Sequence, residues 1–369
     1  MDNNRPLGTL LPMAHTSPLS VSLLALPEST VGTLYSLYEV FAAAGVAWRE
    51  ATGEGAGEPF MEPRILSYDG RSYVSPCGPV IAPQARLGDF SHSDIVVIGD
   101  LQFAPHEDVR GRWPEEAAWC REQYEKGALL CSVCTGSVFL ADTGVLNGSE
   151  ATSHWAAADL FTQLYPEVTL LPDRVLVLSG EDQRIITSGG ASSWQDLALY
   201  LIGRFCGASE AIHIAKLFLL SNHGEGQLPY AAMTKRPLRD DPVIAQCQTW
   251  LADHYHQAHP VKQMIGLSGF KERTFKRRFQ AATGYSPMGY VQALRIEEAK
   301  QLLETTDEAI DEIAAQIGYE DSAFFRRLFK RSTGITPGRY RQRFQSIGRQ
   351  LSHPLPEAGQ AGIKRPSGL

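Results

Sequence analysis

Residues 275–290 and 325–340 spell one pattern twice, 50 positions apart. Phe275-Lys276-Arg277-Arg278-Phe279 is followed by Thr283-Gly284, Ser286-Pro287 and Tyr290. Phe325-Arg326-Arg327-Leu328-Phe329 is followed by Thr333-Gly334, Thr336-Pro337 and Tyr340. A solenoid is excluded, because stacked repeats need at least three units to close a core. What remains is a duplicated basic helical unit. Phe275 and Phe279 share a helix face and are expected in a core, with Arg273, Lys276, Arg277 and Gln280 on the opposite arc. In the second copy Phe325, Leu328 and Phe329 are expected inside. Ser322, Ala323, Arg326, Arg327 and Lys330 then lie outside or at the flank. Arg278 stands where the second copy has the inward Leu328, so it is expected at the core edge.

Each unit is preceded by a short helical stretch and a glycine: 261–267 before Ser268-Gly269, and 311–317 before Gly318-Tyr319. Helix, glycine turn and basic helix form the helix-turn-helix pattern. Ser286-Pro287 and Thr336-Pro337 read as N-caps followed by proline at the first helical position. A helix over 287–304, with Val291, Leu294, Ala299 and Leu302 in a stripe, is expected to tie the two units together.

Charge distribution agrees with a nucleic-acid surface. The chain of 369 residues has a net charge of −7. Residues 270–345 nevertheless hold 14 Lys and Arg against 10 Asp and Glu, leaving 20 against 31 elsewhere. An acidic body therefore carries a basic C-terminal module. Phosphates require Lys and Arg, and base edges require side chains near the start of an exposed helix.

The length fits two or three domains. Apolar runs are short and interrupted, so no membrane span is expected. The first 18 residues lack a charged region leading into a long apolar one and read as a disordered leader, which points to the cytoplasm. Six cysteines are too sparse for a disulfide scaffold and read as reduced thiols. From 19 to 220, β-rich runs alternate with helical patterns: strands at 20–26, 95–98, 128–132 and 175–178, with a helix at 35–44. Such alternation implies an α/β sandwich with a largely parallel sheet. Residues 221–241, rich in Gly, Pro and charge, read as a linker. An all-α domain is expected at 242–346 and a disordered tail at 347–369.

Ser132-Val133-Cys134-Thr135-Gly136-Ser137 follows an expected strand and precedes an apolar helical run. A thiol at such an elbow would meet the helix N-terminus, which should lower its pKa. Cys131-x-x-Cys134 raises redox and zinc readings, but Cys131 falls inside the strand and no second ligand pair has metal spacing. His154, 20 residues on, is the nearest candidate base for Cys134.

The basic module resembles the AraC/XylS family of transcription regulators. The resemblance rests on Ile313-Ala314, Ile317-Gly318-Tyr319, Ser322, Phe324-Phe325-Arg326, Phe329-Lys330, Gly334, Thr336-Pro337 and Tyr340-Arg341. It implies base reading of promoter DNA by Arg273, Lys276 and Arg277 in the first unit and by Ser322, Arg326 and Arg327 in the second. The stretch Ala151-Thr152-Ser153-His154-Trp155, with Tyr165-Pro166 and Thr187-Ser188-Gly189-Gly190, resembles the DJ-1/PfpI branch of the class I glutamine amidotransferase-like fold, as found in GlxA-type regulators.

Hydrolytic members of that branch carry a His directly after the nucleophile, where this chain has Thr135. DJ-1-like members place a Glu in the first strand-to-helix region, close to the Cys, and its best match here is Thr33, with Glu28 and Glu39 nearby. No catalytic residue, metal or cofactor is therefore expected, and Cys134 is read as a vestigial nucleophile position. The resemblance implies a DNA-binding regulator whose N-terminal domain senses a small metabolite through Cys134, Thr135 and His154. The implied metabolite is an amino acid or other nitrogen compound. It also implies a homodimer that works with RNA polymerase, commonly as an activator. The competing readings are a Cys134-dependent hydrolase or hydratase fused to a DNA module, and a thiol redox sensor.

Overall fold

The computed structural model describes residues 17–104, 107–221, 223–233 and 241–352. The expected leader lies outside the described residues apart from 17–18, as does part of the expected linker. The tail expected from 347 is corrected at its start, where the last helix runs on to Ser352, and its remainder, 353–369, lies outside the described residues. The chain divides into two compact units, Met1–Gln227 and Leu228–Leu369.

In the first unit the strands are Leu19–Leu24 (β1), Met61–Ser67 (β2), Tyr73–Val74 (β3), Val80–Ile81 (β4), Ala85–Arg86 (β5), Ile95–Ile98 (β6), Leu129–Val133 (β7), Glu150–Ala151 (β8), Thr169–Leu170 (β9), Leu176–Ser179 (β10) and Ile185–Ser188 (β11). Seven of them form one sheet in the order β10-β11-β7-β6-β1-β2-β5. Its pairs are parallel except for β10 with β11. The helices are Val31–Ala43 (α1), Ala47–Thr52 (α2), Pro114–Glu125 (α3), Gly136–Asp142 (α4), Ala158–Leu164 (α5), Trp194–Phe205 (α6) and Ala208–Leu217 (α7).

Continuous apolar runs explain why both faces of the sheet are covered. Alternation sends Val96, Ile98 and Leu130 to a core with Val138 and Phe139 of α4 and Phe161 of α5. It sends Ile95, Val97, Leu129, Cys131 and Val133 to the other, with Leu37 and Phe41 of α1 and Leu197 and Leu201 of α6. The expected α/β sandwich is the observed one.

Element bounds differ where a side chain is diverted. The helix expected at 35–44 begins at Val31. Thr30 precedes it, but its hydroxyl donates to Asp100 Oδ2 at 2.6 Å instead of capping the helix. The strand expected over 20–26 ends at Leu24, and its neighbour over 95–98 is found as read.

The second unit is helical among the described residues: Pro242–His254 (α8), Pro260–Ser268 (α9), Glu272–Thr283 (α10), Pro287–Thr305 (α11), Ile310–Gln316 (α12), Ser322–Thr333 (α13) and Pro337–Ser352 (α14). The repeat survives as geometry. Thr283 Oγ1 donates to Phe279 O and Thr333 Oγ1 to Phe329 O, both at 2.8 Å. Phe279 meets Tyr290 edge-on with 5.4 Å between centroids, and Phe329 meets Tyr340 at the same 5.4 Å. Ser286 caps α11 by accepting from Gly289 N. Thr336 Oγ1 accepts from Arg339 N at 3.3 Å.

Each helix-turn-helix has its own core, and α11 serves both. Tyr290, Val291 and Leu294 pack with Phe275 and Phe279, while Ile296, Ala299 and Leu303 pack with Phe325 and Phe329. Arg295 sits between those halves, only 8% exposed. Its guanidinium donates to Tyr255 O at 2.8 Å, Gly318 O at 2.9 Å and Gln257 O at 3.0 Å. Three fixed donors aimed at three carbonyls hold a buried cation that has no carboxylate partner among the described residues.

Candidate functional site

The second helix of each helix-turn-helix presents the expected basic face. Arg273, Lys276 and Arg277 are exposed on α10, as are Arg326 and Arg327 on α13, and Ser322 is half-buried at the start of α13. Among the described residues Arg273 and Arg277 have no acidic partner. Lys276 pairs with Glu272 at 2.6 Å, Arg326 with Asp311 at 2.6 Å and Arg327 with Asp321 at 3.8 Å. These exposed pairs are worth little in water, so a phosphate or base can displace them. Asp321 also holds the first turn of α13, accepting from Ala323 N and Phe324 N.

Arg278 lies at the core edge and faces away from this role. It makes a two-pronged pair with Asp241, at 2.8 and 2.9 Å, and its guanidinium lies 4.3 Å from the centroid of the Phe270 ring. Hydrogen bonding from Arg278 holds the Asp241 carboxyl below its ordinary range. Asp241 in turn caps α8 through Ile244 N. This arginine anchors the first unit internally.

In the first unit the carboxyl ends of β1, β6, β7 and β11 lie side by side, the usual place for a ligand in an open α/β sheet. Cys134 follows β7 in a left-handed conformation, φ 56°, before the seven-residue α4. Its N–H donates to Ser188 O at 2.9 Å, and its carbonyl accepts from Ser137 Oγ and Ser153 Oγ. A side chain at Gly136 would lie 2.7 Å from Ile98 O, so glycine lets this turn press against the end of β6.

The expectation of a lowered thiol pKa is corrected here. Burial, with the Asp100 carboxylate adding to it, pushes Cys134 up to about 12, against weaker hydrogen bonding from Thr135. Cys134 is 7% exposed, and desolvation outweighs the short helix behind it. Thr135 does not aim its hydroxyl proton at a ligand. It donates to Leu101 O at 2.7 Å and accepts from Leu101 N at 2.8 Å.

His154 accepts from Ala156 N through Nδ1 at 3.1 Å, so its neutral ring carries the proton on Nε2. Burial lowers its pKa, which keeps it neutral near pH 7. No hydrogen bond joins it to the Cys134 thiol among the described residues. Glu28 is engaged by Arg112 and by Trp113 Nε1 at 2.9 Å, Glu39 is exposed, and Thr33 is buried on α1.

Two polar groups at this edge escaped the sequence reading. Asp100 follows β6, and its buried Oδ1 has no hydrogen-bond partner among the described residues. Position just past a central strand was the available signal. Gln227, within the stretch read as linker, is 4% exposed and donates through Nε2 to Ser153 O at 2.8 Å and Arg174 O at 2.9 Å. Nothing in its sequence neighbourhood marks it.

Residues 65–204 match the DJ-1/PfpI family, and residues 266–343 match a helix-turn-helix domain. The chain belongs to the AraC-type regulators that carry a DJ-1/PfpI domain. Over 94% of its length the regulator is 25% identical to the HTH-type transcriptional regulator GbdR of Pseudomonas aeruginosa, covering 89% of that protein. It is also 25% identical to the HTH-type transcriptional regulator CdhR of the same species, over 75% of this chain and 80% of that one. A crystal structure of an AraC family transcriptional regulator from Pseudomonas putida aligns with 55% of the chain and all of its own, at 16% identity and a TM-score of 0.44. Among the described residues of the regulator, no helix is long and apolar enough to cross a membrane.

Proposed function

We propose that this regulator binds promoter DNA through α10 and α13 and responds to a small nitrogen compound bound in its DJ-1/PfpI domain. The observation that carries the proposal is the pair of exposed basic faces on one helical unit, in a chain whose other unit is an α/β domain with its polar groups gathered at the carboxyl edge of the sheet. Arg273, Lys276 and Arg277 read one DNA segment, and Ser322, Arg326 and Arg327 the next. Cys134 and His154 contact the effector, while Thr135 fixes the turn that presents them. The sensing domain extends to Gln227, which is buried in it, rather than ending at 220, and the helices of the DNA-binding domain begin at Pro242.

The effector binds the DNA-competent and incompetent states with different affinity, which any ligand-driven switch requires. The protein works as a cytoplasmic homodimer that engages RNA polymerase, as an activator. It is not an enzyme. A thiol held protonated, with no hydrogen-bonded base, is a poor nucleophile and an equally poor redox sensor.

Sequence selection from a random duplex pool with the full-length protein tests the DNA half. A single enriched site that Arg277→Ala degrades is expected, and no enrichment over the pool would refute it. The effector half is tested by melting the full-length protein against amino acids, quaternary amines and other small nitrogen compounds. A saturable rise is expected, of the size set by binding linkage. No rise, together with sustained Cys134-dependent turnover of any substrate, would replace the sensor with the enzyme.

A further inference from the structure

Gln227 closes the first unit, 93 residues after Cys134, and its surroundings are specific. Its Nε2 donates to Ser153 O, to Arg174 O and, at 3.3 Å, to Thr152 Oγ1. Two carbonyl acceptors fix which end of the amide is which, since an oxygen placed there would face two other oxygens. Oε1 must therefore point the other way. It is buried and accepts no hydrogen bond from any of the described residues. A buried acceptor left unsatisfied is costly and rare, and a donor brought by a ligand recovers that cost.

The surroundings of Oε1 connect it to the effector site. Oε1 and His154 Cδ2 each lie 3.7 Å from the point that a Cβ on Gly190 would occupy. The two atoms are thus at most twice that distance apart, and Gly190 has no side chain to fill the space between them. His154 Nε2, bonded to Cδ2, carries a proton because Nδ1 is occupied by Ala156 N. Ser153 links the group to Cys134: its hydroxyl donates to Cys134 O at 3.1 Å, and its carbonyl receives Gln227. The edge thus offers the unsatisfied acceptor Gln227 Oε1, in addition to Asp100 Oδ1, and a half-buried His154 Nε2–H that donates to no group among the described residues.

We infer that Gln227 reads the effector. Its Oε1 accepts from an N–H of the ligand, and His154 Nε2–H donates to an oxygen of the same molecule. The effector class is then a compound with an N–H beside an oxygen acceptor, an α-amino acid or a primary amide, and not a fully substituted amine. This rests on the sensor reading above and narrows it.

The experiment titrates the full-length protein by calorimetry with matched probes. One set is the α-amino acids together with acetamide and lactamide; the other is the N,N,N-trimethyl counterparts of the amino acids. At least one N–H-bearing probe is expected to bind saturably. A binding amino acid should exceed its trimethyl counterpart by about tenfold or more, the value of one charge-assisted hydrogen bond. Gln227→Met, similar in volume, should bring that ratio close to one, which general loosening of the domain would not do. If acetamide or lactamide alone binds, Gln227→Met should weaken it by about tenfold. Equal binding of a matched pair overturns the inference, as does a Gln227→Met protein that keeps the wild-type ratio or amide affinity. If only trimethyl probes bind and alter DNA affinity, the sensor reading stands and this inference falls. If no probe of either set binds, the inference also falls, and the sensor reading is judged on the wider panel above. The matched comparison on the unaltered protein needs no variant to fold.

Discussion

Replacing Arg295 by methionine removes the guanidinium that joins the two helix-turn-helix cores and keeps most of the buried stem. Three charge-assisted hydrogen bonds are lost, at Tyr255 O, Gly318 O and Gln257 O. At about 1.5–3 kcal/mol each, the gross loss is about 5–9 kcal/mol. Methionine avoids holding a cation out of water, which offsets several kcal/mol of that loss. The net expectation is a destabilisation of about 2–4 kcal/mol. For a unit of this size, that lowers its melting transition by about 10 °C.

Differential scanning calorimetry of the full-length protein resolves the effect, because the first unit should melt where it did before. Arg295→Lys separates the cause. Lysine keeps the charge, but its single nitrogen cannot replace a planar fork serving three carbonyls, so it should fall nearly as far as methionine. A drop below about 3 °C for methionine would refute the argument. Full recovery with lysine would show that charge, not geometry, holds the joint.

Gly318→Ala should injure the same joint from the other side. Gly318 has φ 90°, and a Cβ there would lie 2.8 Å from Arg295 Nη2; an unchanged melting point would contradict the packing described. Arg277→Ala and Arg327→Ala should each weaken specific DNA binding by about 1–3 kcal/mol and relax the preference at different positions of the site. Fixed-salt titrations that find affinity and preference unchanged would remove the residue from the interface. Cys134, pushed up to about 12, should resist iodoacetamide at pH 7.5, whereas the exposed Cys77 thiol, lowered by the Ser75 hydrogen bond, reacts first. Mass spectrometry that finds both labelled at the same rate would refute this. The sign for stability follows. Cys134 titrates higher folded than unfolded, so its contribution is complete below pH 9 and is lost as pH climbs from 9 towards 12.

What could be read from residues alone depended on how local the cause was. The strand Ile95–Ile98 was legible because an uninterrupted apolar run needs cover on both faces. The helix-turn-helix pair was legible because each turn, cap and aromatic contact lies within one unit of the repeat. The start of α1 was not, since its preceding Thr30 is drawn off by Asp100, 70 residues away. The chemistry of Cys134 misled for a related reason. The elbow is local and was seen, whereas the desolvation that governs the thiol comes from strands and helices packed around it. Gln227 shows the limit: its neighbours in the chain are Gly, Glu and Leu, and its significance comes from Ser153 and Arg174.

The two copies of the reader are not the same reader. Arg273 in the first corresponds to Ala323 in the second, Glu272 to Ser322 and Lys276 to Arg326, while Arg277 and Arg327 agree. If both copies read DNA as proposed, then because α11 packs with both cores a single chain would meet its two DNA segments in a set sequence. Turning the duplex end for end would offer each helix the segment meant for the other. On that proposal one chain would distinguish the two directions along DNA without a symmetric partner. Its target would then have a head and a tail, and inverting that target in front of a promoter should not be equivalent to leaving it in place.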